Sequence, residues 1–199
     1  MTPQSKLYVQ MRPDQTGLDS LLALQRVLPT AAPARLVRSG DIHLTVIHIC
    51  ILHKLCASML PYTTISKTTL LERVTALAQA LETVVRRYGN AGFSLQPTGL
   101  AGFGANQSTL VMTFDTSTEL QALHTESLQL LQNWFKAQGI ADVSAFMAQD
   151  DNLQHALSLR PHVSFARLIS ADRADIVSAI QTDVTTPLTF NLMPVVYQS

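Results

Sequence analysis

Residues 42–49 read Ile-His-Leu-Thr-Val-Ile-His-Ile, and residues 161–165 read Pro-His-Val-Ser-Phe. Both stretches are rich in strand-forming residues, and each carries a histidine followed two positions later by a hydroxyl. Side chains two apart in a strand point to one face. His43 and Thr45 therefore share a face, as do His162 and Ser164. The opposite faces hold Ile42, Leu44 and Val46 in the first strand, and Val163 and Phe165 in the second, and read as core. Each strand thus offers an apolar side to helices and an imidazole with a hydroxyl to something else.

Working outward, a strand is expected at residues 7–11 and a helix at 18–28, ended by Pro29. A short extended piece, Arg35-Leu36-Val37, leads into the first histidine strand. The clearest helix spans 69–88, with Leu70, Val74, Leu77, Leu81, Val84 and Tyr88 in one stripe, capping-box spacing at Thr69 and Glu72, and Gly89 as the stop. Strands are expected at 93–96 and 109–114, joined by a glycine-bearing turn over 99–106. That turn lacks the Gly-Lys-Ser/Thr ending of a Walker phosphate loop. A second helix spans 117–138, with Thr116 and Glu119 as its capping box. Residues 140–160 are irregular, 171–181 read as a short helix, and 188–196 as a last strand in which Pro194 marks an edge or a bend. The order predicts an α+β fold of antiparallel sheet packed against helices. No linker divides residues 1–199, which read as a single domain, and the histidine strands fall in comparable places in two halves, as a pseudo-twofold arrangement would place them.

Composition narrows the function. Acidic and basic residues balance at 14 each, whereas a protein that tracks long nucleic acid needs a basic excess to neutralise phosphates. Cys50 and Cys56 lie in apolar surroundings without a Cys-x-x-Cys pair, as free thiols in a reducing compartment would. The first residues lack the basic-then-apolar pattern of a signal peptide. The most apolar run, 46–60, is interrupted by His48, His53 and Lys54 and falls short of the roughly 20 residues that span a bilayer. The expectation is a cytoplasmic monomer that binds neither membrane nor long nucleic acid.

Cleaving a phosphodiester requires a base for the attacking oxygen and an acid for the leaving one, and histidine suits both because its pKa of about 6.5 lies near working pH. Hydroxyls beside the imidazoles supply donors for the non-bridging oxygens. About one residue in six is Ser or Thr, so six histidines yield about one His-x-Ser/Thr by chance. The weight therefore rests on context: two strands, two apolar opposite faces, two halves of the chain.

With that context, the tetrapeptides His-Leu-Thr-Val and His-Val-Ser-Phe resemble the paired signatures of the 2H phosphoesterase superfamily, in particular its 2′-5′ RNA ligase-like and cyclic phosphodiesterase members. The likeness extends over nearly the whole chain: an opening strand, a helix before the first motif, a glycine-turn hairpin before residue 115, Arg-Pro-His-Val-Ser-Phe-Ala-Arg-Leu at 160–168, and a final strand ending near Tyr197. The resemblance implies a bilobal fold with the motifs on facing strands of a central cleft. It implies metal-independent chemistry, without cofactor, on 2′,3′-cyclic phosphates or 2′-5′ linkages of small nucleotides or RNA ends. It assigns His43 and His162 as the acid–base pair and Thr45 and Ser164 as phosphate-binding, without saying which histidine is the base. The alternative is a sensor or scaffold that holds a nucleotide in the same cleft without turnover.

Other residues carry weaker signals. Arg38, Arg160 and Tyr8 are candidates for substrate contact, whereas Arg35 reads as solvated charge and Arg167 has the wrong parity for the site face unless a bulge intervenes. His48 also has the wrong parity and reads as structural, and His124 and His155 read as ordinary. His43, His48 and His53 recur every five residues, which aligns them on neither helix nor strand, so no metal site is expected. The apolar segment 50–66 departs from the family pattern and reads as a packed element or a contact surface. Residues 144–160, with Asp150 and Asp151, are placed to cover the cleft.

Overall fold

The computed structural model describes residues 6–26, 28, 33–89, 92–104, 106–169 and 186–197. The helix expected at 171–181 lies outside them. The first part of the chain forms strand β1 (Lys6–Pro13), helix α1 (Gln15–Arg26), strands β2 (Ala34–Leu36) and β3 (Leu44–Ile51), and helices α2 (Leu52–Met59) and α3 (Lys67–Arg87). Then come β4 (Phe93–Leu95), β5 (Pro97–Phe103), β6 (Thr109–Phe114), α4 (Thr118–Ala137), α5 (Val143–Gln149), β7 (His162–Leu168), β8 (Leu188–Leu192) and β9 (Val196–Tyr197). The strands form one antiparallel sheet in the order β4-β8-β1-β3-β7-β6-β5, with β2 beside β7 and β9 beside β1. The α+β expectation holds, and the last strand does break around Pro194.

Several local expectations are corrected. Helix α3 starts at Lys67 because the Ser66 hydroxyl accepts the Thr69 N–H, so Thr69 lies inside the helix and the expected box is shifted by one turn. Likewise Ser117, not Thr116, caps α4 through the Leu120 N–H. Segment 52–59 is helical and buries Leu55, Cys56 and Met59, so it is chiefly a packed element. The irregular 140–160 stretch contains α5 and a 3-10 turn at Leu153–Leu157. The glycine-rich stretch read as a turn is mostly strand β5. Its Gly102 is required because a Cβ there would lie 2.7 Å from the Gln107 carbonyl oxygen, and the reversal is confined to the residues after Phe103.

The two histidine strands meet at one pair, Leu44 opposite Val163. In an antiparallel ladder, a twofold through that pair carries residue 43 onto 162 and 45 onto 164. The flanks obey the same operation. β3 has β1 on its far side and β7 has β6, and a helix connects each flank to its motif strand, α1 in the first half and α4 in the second. Each helix packs on the other half's motif strand: α1 on β7 and α4 on β3. Gln25 of α1 fastens this crossing, its side-chain amide donating to the carbonyls of Val37 (2.7 Å) and Phe165 (2.8 Å).

One bulge beside each motif is paired as well. The ladder sets Gln10 opposite Thr45 but Val9 opposite Ile47, leaving Val46 as an extra residue. On the other side Val111 faces Ser164 but Leu110 faces Ala166, leaving Phe165 extra. The bulges stand three residues after His43 and three after His162, and the rhythm of burial is the same in both strands. Leu44, Val46, Ile47 and Ile49 are buried in one, and Val163, Phe165, Ala166 and Leu168 in the other.

Candidate functional site

Directly opposed residues in an antiparallel pair share a face. One step either side of Leu44–Val163, the register sets His43 across from Ser164 and Thr45 across from His162. The four motif residues therefore converge on one face, while Leu44 and Val163 are wholly buried on the other. The two stretches thus lie side by side in the sheet, with their histidines and hydroxyls on one face.

Both imidazoles are held alike. His43 Nδ1 lies 2.7 Å from the carbonyl oxygen of Asp41, and His162 Nδ1 lies 2.6 Å from that of Arg160. A carbonyl only accepts, so each Nδ1 carries the proton and donates it. In the neutral ring the other nitrogen, Nε2, is then a free acceptor, and in the charged ring a donor. Each ring also has an aromatic neighbour: Tyr8 stacks beside His43 with centroids 6.1 Å apart, and Phe103 tilts over His162 at 4.4 Å.

Burial pushes the pKa of His43 down, against the pull of the Asp41 carbonyl, and the charge of Arg12 adds to the lowering. Burial lowers His162 too, opposed by the Arg160 carbonyl, and the charge of His43 lowers it further. His48 and His124 are lowered chiefly by burial as well. Unfolded, these rings bind protons near pH 6.5. The native state binds fewer, so stability falls as pH drops from about 6.5 through the native values and is recovered above that window. The melting temperature is accordingly expected to rise between pH 5 and 7 and then flatten. A midpoint that falls over that range in a thermal-unfolding series contradicts the assignment.

A cavity of about 980 Å³ opens on this face. Thr45 and His162 stand on its wall, whereas His43 and Ser164 complete the motif set on the sheet face beyond it. Phe103, Gly104 and Gln107 from the β5–β6 hairpin form one side, and Arg160 leads into β7 on another. No Asp or Glu is among the lining residues.

The other candidates separate. Arg160 is on the wall, Tyr8 lies against His43, and Arg38 is exposed just before the 3-10 turn at Ser39–Asp41, off the wall. Phe165 is core, and His124 is buried with its ring bonded to the Ala156 carbonyl. The carboxylate of Asp150 is taken up by the Ser58 hydroxyl and the N–H groups of Asn152 and Leu153, so it ties α2 to the turn before the second motif. His48 and His155, read as structural and ordinary, both line the cavity. The bulge at Val46 reverses the parity that had turned His48 away. The equivalent bulge at Phe165 does the same for Arg167, which is exposed but off the cavity wall. The visible trace of each bulge is two consecutive apolar residues before a polar one, Val46-Ile47-His48 and Phe165-Ala166-Arg167.

No helix among the described residues is long and apolar enough to cross a membrane. No family model and no curated protein matches the chain. Among solved structures it is similar to TT0787 of Thermus thermophilus, with 15% sequence identity and a TM-score of 0.49 over 96% of this chain and 84% of that one. It is also similar to LigT of E. coli, solved in complex with 3′-AMP, with 15% identity and a TM-score of 0.47 over 94% of this chain and 85% of that one.

Proposed function

We propose that the chain is a phosphodiesterase of the 2H type, opening 2′,3′-cyclic phosphates or 2′-5′ linkages of short nucleotides by two-histidine acid–base catalysis. The observation that carries this reading is the twofold placement of two imidazoles, each with Nδ1–H on a backbone carbonyl and each with a hydroxyl two residues on. One neutral Nε2 takes the proton of the attacking oxygen. The other, charged, gives a proton to the leaving oxygen, and the roles exchange when the reaction runs backwards. The hydroxyls of Thr45 and Ser164 donate to the phosphate oxygens as charge builds on them. The reaction needs no metal, because the imidazoles and hydroxyls supply both the proton transfers and the charge stabilisation.

The test is hydrolysis of the four 2′,3′-cyclic nucleotides in EDTA across pH. One ring must be neutral and one charged, so kcat/KM is expected to be bell-shaped. Because both pKa values are lowered in the free protein, its maximum is expected below about pH 6.5. Turnover that requires an added divalent ion sinks the reading. Nucleotide binding with no turnover on cyclic or 2′-5′ substrates replaces it with the non-catalytic alternative.

A further inference from the structure

The motif residues account for only part of the cavity. His48 from β3 stands on its wall with His155 of the Leu153–Leu157 turn, Ser158 and Arg160. His48 and His155 are near enough for the charge of His155 to disfavour that of His48, and Lys6 acts on His48 in the same sense. Among the described residues no hydrogen bond ties either ring, and the Arg160 guanidinium has no ion pair. The wall thus presents hydrogen-bond donors and groups that can carry positive charge, with no carboxylate among them. A phosphate matches that set, accepting from the planar fork of Arg160, one ring N–H of each histidine and the Ser158 hydroxyl. The volume also exceeds what a cyclic phosphate alone fills.

We infer a second anion subsite, formed by His48, His155 and Arg160, that takes a further phosphate of the substrate beyond the one the motif pair holds. The inference rests on the phosphodiesterase reading for the first phosphate. It narrows the substrate class to nucleotides that end in the reacting phosphate and carry another one. The second group is either a terminal 5′-phosphate or the next diester of an oligonucleotide.

Product-like ligands test this by calorimetry without need of turnover. The probes are adenosine 2′-monophosphate, adenosine 2′,5′-bisphosphate, and a dinucleotide ending in a 2′-phosphate. The folded protein is expected to bind the bisphosphate about tenfold more tightly than the monophosphate, as one charge-assisted set of contacts allows. His155→Ala, at an exposed position, is expected to remove most of that gap, and His48→Gln with His155→Ala to close it. His43→Ala is expected to keep it, because His43 acts at the other phosphate. A gain for the bisphosphate alone assigns a terminal phosphate, and a gain for the dinucleotide too extends the subsite to a diester. Equal affinities in the wild type, a gap that survives in the folded double variant, or no binding of either nucleotide overturns the inference. A gap that is present without turnover of any 2′,3′-cyclic or 2′-5′ substrate leaves the subsite standing and removes the phosphodiesterase reading instead.

Discussion

His43→Ala and His162→Ala are each expected to lower turnover of a 2′,3′-cyclic nucleotide by roughly 10²–10⁴-fold, the range general acid–base catalysis supplies. The two losses should be comparable, because the local twofold gives both rings the same Nδ1–H hold on a backbone carbonyl and leaves both half-buried. The double variant should lose little beyond either single one, since the groups act as a unit in one proton relay. Folding should survive: the rings lie partly open on the sheet face, and water can replace the lost Nδ1–H bonds to Asp41 and Arg160. The pH profile of the residual activity carries further information. Removing the base abolishes the acidic limb of the bell and removing the acid abolishes the alkaline limb, so the missing limb assigns the role of each histidine. Full activity in either folded variant, measured in EDTA, refutes the paired site.

The site was legible in the sequence to the extent that it depends on side-chain alternation. His43, Thr45, His162 and Ser164 could be placed on one face because strand parity is a strict rule over three residues. The rule fails where the ladder carries an extra residue, and here it fails just past each motif. His48 therefore fell on the wrong side, and Arg167 meets the bulge on which its parity depended. The consecutive buried pairs Val46-Ile47 and Phe165-Ala166 show why: two apolar neighbours both in the core cannot belong to a regular strand with one open face. The helices of 67–87 and 118–137 were readable from long 3.6-residue stripes, but their caps were each misplaced, since neighbouring hydroxyl residues compete for the same role. Strand β5 was hidden because its glycines resemble a turn, while close backbone approach by Gln107 is what demands one of them. His155 gave no sequence signal at all. Only the fold brings the Leu153–Leu157 turn against β3.

Phe165→Ala is expected to cost about 3–5 kcal/mol of stability, the range for deleting a buried aromatic ring. The ring is fully buried at the bulge of β7, on the side of the sheet where α1 crosses from the other half. Its backbone carbonyl takes the N–H of Val37 (3.0 Å) and the amide of Gln25, so the strand, the β2 segment and the helix converge on this residue. A cavity here cannot close without moving α1 away from β7, and moving it strains the same hydrogen bonds. With a urea slope of roughly 2–3 kcal/mol per molar, the unfolding midpoint should fall by about 1–2 M. Arg167→Ala, two residues along the same strand and exposed, should shift stability by no more than about 0.5 kcal/mol. The contrast separates loss of the crossing from a general weakening of β7. If Phe165→Ala cost no more than the Arg167 variant, the two motif strands would have to be held by the sheet alone, through the Leu44–Val163 pair and the β2–β7 ladder. The positions of His43 and His162 relative to each other would then rest on those strand pairings rather than on the crossed helices.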